Sequence, residues 1–167
     1  KEIDVIYHLG AQSHVQYSLH NPLETYVTNS VGTANVLEAA RANNVSNIVF
    51  TSGSGVYGEV PGQIFSETYG PCLPVSPYGA AKLGSEGLIS AYCNMFKIRG
   101  CALRFANIVG PNQTHGVGYD FLNRLIKDNS QLRILGDGTQ CKSYIYVSDV
   151  LNAIDLILSR MDSASYF

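Results

Sequence analysis

The sequence predicts an α/β fold built on a parallel β-sheet with crossover helices, and three observations lead to this fold class. Short, apolar, β-rich runs alternate with longer segments of helical periodicity. The strand candidates are almost continuously apolar, as expected for strands that helices cover on both faces. A length of 167 residues with 46% hydrophobic and 14% charged residues suits one domain with a substantial core.

The first half of the chain contains two strand candidates and a long helix. A strand is predicted over Val5–Leu9, and a second over Asn47–Ser52. A helix is predicted from Pro22 to Asn43, because Asn21 is a favourable N-cap and proline suits the first helical position. The apolar residues of this segment recur with the helical period, at Leu23, Val27, Val31, Ala34 and Leu37.

A second long helix is predicted to begin at Ser76-Pro77 and to continue to Phe96, and a strand follows over Cys101–Phe105. The remaining predicted elements are a helix over Tyr119–Lys127, strands over Leu132–Leu135 and Tyr144–Val147, and a helix from Ser148 through Leu158. The chain contains no internal repeat, low-complexity segment or flexible linker, so we expect a compact α/β unit.

Charge and composition exclude several classes of function. The 11 Lys and Arg residues and 13 Asp and Glu residues give a net charge of −2, with no basic run. We therefore expect neither nucleic acid nor an anionic membrane surface as a partner. No apolar stretch reaches the roughly 20 residues that span a bilayer, and no signal segment opens the chain.

The four cysteines indicate neither a metal centre nor a disulfide framework. Cys72, Cys93, Cys101 and Cys141 form no CxxC pair and lie at no zinc-site spacing from His residues. We therefore expect no bound metal, reduced thiols and a cytoplasmic location. The chain starts at Lys1, without Met and directly before an apolar strand, so we expect it to be an internal piece of a longer protein.

Tyr78 and Lys82 form the candidate catalytic pair. They stand four residues apart at the start of the second long helix, so their side chains share one helix face, about 6 Å apart along the axis. A tyrosine that acts as a base near neutral pH must ionise about three pKa units below its reference value, which corresponds to about 4 kcal/mol. A neighbouring ammonium and an oxidised nicotinamide both favour the phenolate. Judged by spacing alone, a solvated Lys beside a half-buried Tyr is the more ordinary interpretation.

A G-x-G-x-x-G pattern at Gly53–Gly58 follows the second strand. In dinucleotide-binding proteins such glycines open a helix, and an acidic residue follows roughly 20 residues later. Here the residues after Gly58 include Pro61 and do not favour a helix, and no suitably placed acid follows. We therefore reject the pattern as a phosphate loop, and expect its serines at the carboxyl end of a strand, where α/β sheets place their chemistry.

Six groups of residues form a recognisable series. They are HLGAQ at 8–12, NSVGT at 29–33, TSGSGVYG at 51–58, SPYGAAK at 76–82, RFANIVGP at 104–111, and GDGTQ at 136–140 with YIYVSD at 144–149. In this order they resemble the extended short-chain dehydrogenase/reductase family, specifically its NAD-dependent nucleotide-sugar epimerase/dehydratase branch. The resemblance implies a Rossmann-like doubly wound parallel sheet with part of a small C-terminal substrate domain.

The resemblance also implies a division of the chain. Residues 1–110 would be the central and C-terminal part of the NAD-binding Rossmann domain, without its first βαβ unit. Residues 111–167 would start the substrate-binding region, with strands and a helix that returns to the Rossmann domain. We therefore expect the isolated 167-residue chain to be inactive. Helices 22–43 and 77–96 would form a homodimer through a four-helix bundle.

The resemblance implies a role for each site residue, with NAD as the cofactor and a nucleotide sugar as the substrate. Tyr78 would be the catalytic base, and Lys82 its electrostatic partner. The residues that would contact NAD are Gly10, Ala11, Gln12, Thr28, Ser52, Gly53, Tyr78, Lys82, Phe105 and Ala106. Those that would contact the substrate are Ser54, Tyr78, Asn107, Arg133 and Lys142. The alternative for Arg133 and Lys142 is plain solvated surface, which is the commoner fate of a Lys or Arg. Asn29 would hold neighbouring backbone, or bond only within its own helix.

Three positions depart from the family pattern, and the mildest departure is Gly10, which replaces the first Ala of the family's His-x-Ala-Ala motif. The hydroxyl residue that bonds the reacting sugar oxygen usually lies three residues before the Val of V-Y-G, where this chain has Gly53. Ser52, Ser54 or a water must replace it, and Ser54 is the candidate catalytic residue. Lys142 stands where the family usually has Arg, which removes a bidentate contact to phosphate.

The implied reaction is NAD-dependent epimerisation at C4 of a nucleotide sugar, UDP-hexose above all, through a transient 4-keto intermediate. Dehydratases of the family place adjacent carboxylates after the catalytic hydroxyl residue, whereas this chain has Ser54-Gly55, which favours epimerisation. His14 points weakly towards a dehydratase. The alternatives are a 4,6-dehydratase, another sugar-nucleotide-modifying enzyme of the family, or a non-catalytic NAD- or sugar-nucleotide-binding relative.

Overall fold

The computed structural model describes residues 2–60 and 64–161. The described residues divide into two compact units, one formed by residues 2–60, 64–105 and 156–161 and the other by Ala106–Asp155. The functional division into residues 1–110 and 111–167 stays a prediction.

A three-stranded parallel sheet in the order β1-β2-β3 organises the first unit. The central strand is covered on both faces, with Ile48, Val49 and Phe50 each at most 2% exposed. The strands are β1 (Val5–His8), β2 (Asn47–Thr51) and β3 (Arg99–Leu103). The predicted α/β class with a parallel sheet is confirmed.

A nearly continuous helical stretch connects β1 to β2. It consists of α2 (Pro22–Tyr26), a π-helical turn (Val27–Val31) and α3 (Gly32–Ala42), and a short α1 (Val15–His20) precedes it. The predicted helix from Pro22 is confirmed in extent, but its pattern gave no sign of the π-helical turn. Such turns often mark functional positions, because they free backbone carbonyls from the helical ladder.

The second crossover, α4 (Pro77–Phe96), connects β2 to β3. Ser76 caps it, because its side-chain oxygen accepts a 3.1 Å hydrogen bond from the backbone N–H of Gly79. The helix packs its apolar side against the sheet and α3. The core residues formed there are Leu37, Ala40, Val45, Ile48, Phe50, Ile89, Cys93, Ile98 and Ala102.

In the second unit, two short parallel strands pair, and two helices accompany them. The strands are β4 (Asn107–Val109) and β5 (Tyr144–Tyr146), and the helices are α5 (Val117–Lys127) and α6 (Val147–Arg160), whose last residues belong to the first unit. The predictions of α5, β5 and α6 are accurate to within two residues at each end.

One predicted strand is wrong, and one begins too late. Leu132–Leu135 is not a strand, and Leu135 is 79% exposed, since no neighbouring strand offers it backbone partners. β3 begins at Arg99 rather than Cys101 and ends at Leu103. The elements that sequence patterns missed are α1, β4 and a 3₁₀ turn over Ser54–Val56.

Within the described parts of the chain, no helix is both long and apolar enough to cross a bilayer. All four cysteines are free thiols, and no group of three or more His, Cys, Asp or Glu side chains among those residues is placed to hold a metal ion. The cytoplasmic location stays a prediction.

Candidate active site

Lys82 lies buried at the carboxyl end of the central strand. It is 3% exposed, and its Nζ donates a 2.6 Å hydrogen bond to the carbonyl oxygen of Thr51, the last residue of β2. The same nitrogen lies 4.6 Å from the centroid of the Phe50 ring. Burial lowers the pKa of Lys82 to about 8. The interpretation of Lys82 as an ordinary solvated lysine is therefore wrong.

Tyr78 lies one turn before Lys82 on α4 and is partly buried. The Lys82 Nζ lies 6.0 Å from the centroid of its ring. Burial raises the pKa of Tyr78 above its ordinary value, whereas the sequence argument expected the neighbouring ammonium to lower it. The physical reason is desolvation, which disfavours the charged phenolate, while the Lys82 ammonium lies 6.0 Å from the ring centroid. A further positive charge beside Lys82 would favour ionisation of Tyr78 near neutral pH.

The segment after β2 lies against the first turn of α4. A Cβ atom on Gly79 would come within 2.6 Å of the carbonyl oxygen of Gly55, so only glycine permits this approach. Ser54 donates its backbone N–H to the carbonyl of Phe105 at 2.9 Å and is exposed at the start of the 3₁₀ turn. Ser54 therefore lies beside the helical turn that holds Tyr78. Gly53–Gly58 opens only this three-residue turn, as expected from its rejection as a phosphate loop.

A second buried charge, Glu86, lies one turn after Lys82 and belongs to none of the sequence motifs. Its carboxylate accepts a 2.5 Å hydrogen bond from the hydroxyl of Ser52 and three hydrogen bonds from the Arg104 guanidinium. Glu86 continues the four-residue spacing of Tyr78 and Lys82, which is the signal that could have identified it.

The loop after β1 is held by Asn29, which lies in the π-helical turn and is 2% exposed. Its side chain accepts a 2.8 Å hydrogen bond from the backbone N–H of Gln12 and donates one of 3.0 Å to the Gln12 carbonyl. The prediction that Asn29 holds neighbouring backbone is confirmed. The Asn29 carbonyl, which accepts the backbone N–H of Gly32, also accepts hydrogen bonds from the hydroxyls of Thr33 and Ser85.

His8, the last residue of β1, lies near the same edge. Its Nε2 and the Thr33 hydroxyl form a 2.8 Å hydrogen bond. Burial, and secondarily the charge of Lys82, lower the pKa of His8 below its ordinary value. His8 is therefore suited to remain a neutral hydrogen-bonding group.

The loop after β1 offers a ligand both open space and an unpartnered polar group. Gly10 is exposed, and a Cβ atom at this residue would meet no atom within 4 Å. The side-chain oxygen of Gln12 is buried without a hydrogen-bond partner among the described residues, although such atoms normally find one. These residues therefore fit a polar ligand that approaches the backbone closely.

The remaining predicted site residues are dispersed. Thr28 lies exposed on the π-helical turn. In the second unit, the side-chain amide of Asn107 donates a 3.1 Å hydrogen bond to the carbonyl of Ser143, the residue after Lys142. Arg133 and Lys142 are both exposed. Phe105 ends the first unit and Ala106 begins the second.

Comparison with known proteins gives this arrangement a family. A family model described as the NAD dependent epimerase/dehydratase family matches residues 1–166. This chain belongs to the NAD-dependent epimerase/dehydratase family. The family membership inferred from the six motifs is thereby confirmed, as are the Rossmann-like fold and NAD as the family's cofactor.

Relatives within the epimerase/dehydratase family include both kinds of enzyme. The chain is 36% identical over 155 residues to the UDP-glucose 4-epimerase of Mycolicibacterium smegmatis, which covers 90% of this chain and 49% of the relative. A crystal structure of a UDP-galactose 4-epimerase matches 98% of the chain and 55% of its own, with a TM-score of 0.83 and 37% identity. The dTDP-glucose 4,6-dehydratase DesIV of Streptomyces venezuelae, solved with NAD bound, matches 99% of the chain and 51% of its own, with a TM-score of 0.89 and 28% identity. The chain thus spans about half the length of each of these three relatives.

Proposed function

We propose that the whole protein catalyses the NAD-dependent C4 epimerisation of a nucleotide sugar, with a UDP-hexose as substrate. The observation that carries this proposal is the buried Lys82 ammonium at the carboxyl edge of the parallel sheet, with Tyr78 one helical turn before it. Ligands of open α/β sheets bind at this edge. A buried lysine at such an edge, beside a tyrosine, suits base catalysis on a hydroxyl group.

In the proposed mechanism, Tyr78 accepts the proton of the sugar C4 hydroxyl and returns it after the sugar has turned over. Lys82 stabilises the phenolate by its charge, and the Thr51 carbonyl holds the ammonium in place. NAD, when bound, supplies the hydride acceptor and donor. The residues that would hold the cofactor are Gly10, Ala11 and Gln12 after β1, Thr28 on the π-helical turn, Ser52 and Gly53 after β2, and Phe105 and Ala106 after β3. Asn107, Arg133 and Lys142 would bind the nucleotide sugar.

We propose that the hydroxyl of Ser54 acts beside Tyr78, in place of the hydroxyl side chain that the family usually has at the position of Gly53. The hydroxyl of Ser52 donates a hydrogen bond to the Glu86 carboxylate, and Ser52 is 6% exposed. It is therefore committed to the protein interior. Ser54 is exposed and lies against the turn that carries Tyr78, which makes it the better placed of the two serines.

Epimerisation is favoured over dehydration because a dehydratase must also expel a C6 hydroxyl, which requires a positioned acid and base. Ser54 and Gly55 stand where a carboxylate pair would be needed. The absence of a hydroxyl at Gly53 is the one feature that favours a non-catalytic, ligand-binding relative, and an activity assay separates these possibilities.

The function is tested by incubating the whole protein with NAD and UDP-galactose and following UDP-glucose by chromatography. We expect conversion to an equilibrium mixture, and none by the isolated 167-residue chain. Formation of a 4-keto-6-deoxy product instead would identify a dehydratase. Binding of NAD and UDP-hexose without turnover would identify a non-catalytic relative, and turnover by the isolated chain would contradict the prediction that it is inactive.

The same assay on a Ser54→Ala variant tests the serine. Loss of a hydrogen bond made in the transition state is expected to lower kcat about 10- to 100-fold, with KM nearly unchanged. An unchanged kcat would assign the hydroxyl function to a water.

We propose that the whole protein is a homodimer that uses α2, α3 and α4. Leu23 is 74% exposed and Tyr26 55% exposed on α2, and such apolar side chains on adjacent turns mark an association surface. Sedimentation is expected to show a dimer in the parent protein and a monomer in Leu23→Glu, because a buried unpaired carboxylate is costly. Gln16→Glu adds the same charge on α1 as a control and should remain dimeric. A monomeric parent would contradict the proposal.

A further inference from the structure

Two side chains on one face of helix α4, one helical turn apart, form hydrogen bonds to the end of β2. Lys82 donates to the carbonyl of Thr51 at 2.6 Å. One turn later, the Glu86 carboxylate accepts a 2.5 Å hydrogen bond from the hydroxyl of Ser52, the residue after Thr51. Because Tyr78 lies one turn before Lys82 on the same face, these two contacts determine where the phenol lies along the sheet edge.

The Glu86 contact belongs to an ion pair in which Glu86 is buried and Arg104 is partly buried. The Glu86 side chain is 2% exposed and that of Arg104 is 11% exposed. The Arg104 Nη2 donates to the Glu86 Oε2 at 2.8 Å, and its Nε donates to both carboxylate oxygens at 3.1 and 3.2 Å. Its remaining Nη1 donates to the Glu67 carbonyl at 3.3 Å, and the guanidinium lies 5.0 Å from the centroid of the Tyr57 ring.

Stability alone does not account for an ion pair in this position. Burying both charges costs desolvation energy that the mutual attraction roughly offsets, so apolar side chains of the same volume would stabilise the fold equally well. What a bidentate carboxylate–guanidinium pair adds is a fixed geometry, because both planar groups must align. The ion pair joins α4 to Arg104, which follows β3. The hydrogen bond from Ser52 joins the same carboxylate to the end of β2.

The backbone near Ser52 depends on this geometry. Ser52 donates its N–H to the Leu103 carbonyl, and Ser54 donates its N–H to the Phe105 carbonyl, each at 2.9 Å. The pairing of the two strands thus continues beyond their regular ends, next to the residues that Glu86 holds. Loss of the Glu86 charge would weaken the hydrogen bonds that attach Ser52 and Arg104 to α4, so residues 52–54 would be held less firmly against the helix.

We propose that Glu86 is a positioning residue for the reaction, acting through Ser52 and Arg104 to fix residues 52–54 against the turn of α4 that carries Tyr78 and Lys82. Its kinetic consequence rests on the proposed function, whereas its structural consequence does not. The Glu86 side chain is 2% exposed, and its carboxylate bonds Ser52 and Arg104. Glu86 therefore acts on the reaction through these two residues.

The kinetic test compares Glu86→Gln and Arg104→Lys with the parent in the whole protein. Each keeps side-chain volume but removes the bidentate charged pair. We expect kcat to fall about 10- to 100-fold, as for a misplacement of about 1 Å, while KM and NAD affinity change less than about threefold. Cys93→Ala, a buried change in the core on the same helix, lowers thermal stability as a control and should leave kcat unchanged.

A double-mutant cycle tests whether Glu86 acts through Ser52. If it does, Ser52→Ala and Glu86→Gln lower kcat by factors that do not multiply, so the double variant resembles the stronger single variant. Factors that multiply would overturn the proposed route through Ser52. A merely structural role would lower stability in both variants without this coupling in kcat.

Amide hydrogen exchange provides a measurement that does not depend on the reaction. In Glu86→Gln, the N–H groups of Ser52 and Ser54 are expected to exchange about tenfold faster or more, while that of Ile48 in the centre of β2 keeps its protection. Unchanged exchange at Ser52 and Ser54 would overturn the positioning role. An inactive parent protein would instead count against the proposed function, and the exchange result would still decide the role of Glu86.

Discussion

Replacing Lys82 by Met is expected to abolish turnover by the whole protein while leaving it at least as stable as the parent at pH 7. Lys82 is 3% exposed, and burial lowers its pKa from 10.5 to about 8. This shift corresponds to about 3 kcal/mol of free energy that the folded state loses by keeping the ammonium charged. Methionine fills a similar volume without a charge, so the variant avoids most of that loss. Turnover should fall about 10²- to 10⁴-fold, because the phenolate of Tyr78 loses its cation.

The contribution of Lys82 to the free energy of unfolding is expected to depend on pH, and the direction follows from its lowered pKa. Below about pH 8, Lys82 is protonated in both states, and the folded state carries the full cost of the buried charge. Between about pH 8 and 10.5, the folded state binds fewer protons at this residue than the unfolded state, so its contribution to the free energy of unfolding rises with pH. The difference between parent and Lys82→Met should therefore shrink over this range.

Urea titrations at pH 7, 8, 9 and 10 measure this difference, and subtraction cancels the other tyrosines and cysteines that titrate in the same range. Tyr78→Phe is the matched control, because it should lose turnover as strongly and retain the pH-dependent contribution of Lys82. A Lys82→Met variant that is less stable than the parent at pH 7, with an unchanged pH slope, would show that Lys82 is a structural residue. Retained turnover in either variant would contradict the mechanism.

The sheet and the two long helices were predictable from the sequence because their signals are local. Asn21-Pro22 and Ser76-Pro77 mark helix starts, and the apolar run through Phe50 marks a buried strand. The strand predicted at Leu132–Leu135 failed because an apolar run becomes a strand only beside a partner, and partner positions are a property of the whole fold. β3 was placed two residues late because Arg99 and Gly100 carry no strand signal of their own.

The candidate site shows the same limit in its electrostatics. The spacing of Tyr78 and Lys82 correctly indicated a shared helix face, but it could not show that the ammonium bonds the Thr51 carbonyl or that burial raises the pKa of the phenol. Glu86 resembles a solvated helix residue in sequence. Its burial becomes apparent only when the fold brings Ser52 and Arg104, which are 34 and 18 residues away, to the same carboxylate.

Replacing Gly79 by Ala is expected to lower both stability and turnover, the reverse of what this substitution does inside most helices. Glycine within a helix normally costs about 0.5–1 kcal/mol relative to alanine, so Gly→Ala usually stabilises. Here the new Cβ atom would come within 2.6 Å of the Gly55 carbonyl oxygen and 3.1 Å of the Pro74 Cβ. Because the first of these is a backbone atom, either the segment around Ser54 or the first turn of α4 must move. We expect a loss of about 1–3 kcal/mol of unfolding free energy, as for other overpacked sites.

The separation between Ser54 and Tyr78 changes with that movement, so kcat should fall about 100-fold, as for a misplacement of about 1 Å. Gly87→Ala on the same helix is the matched control, since its Cβ would meet no atom within 4 Å, and it should gain about 0.5–1 kcal/mol with unchanged kcat. Urea unfolding and steady-state kinetics on the three proteins measure both effects. If Gly79→Ala were as stable and as active as Gly87→Ala, residues 53–58 would not rest on the first turn of α4, and Ser54 would lose its place beside the catalytic tyrosine.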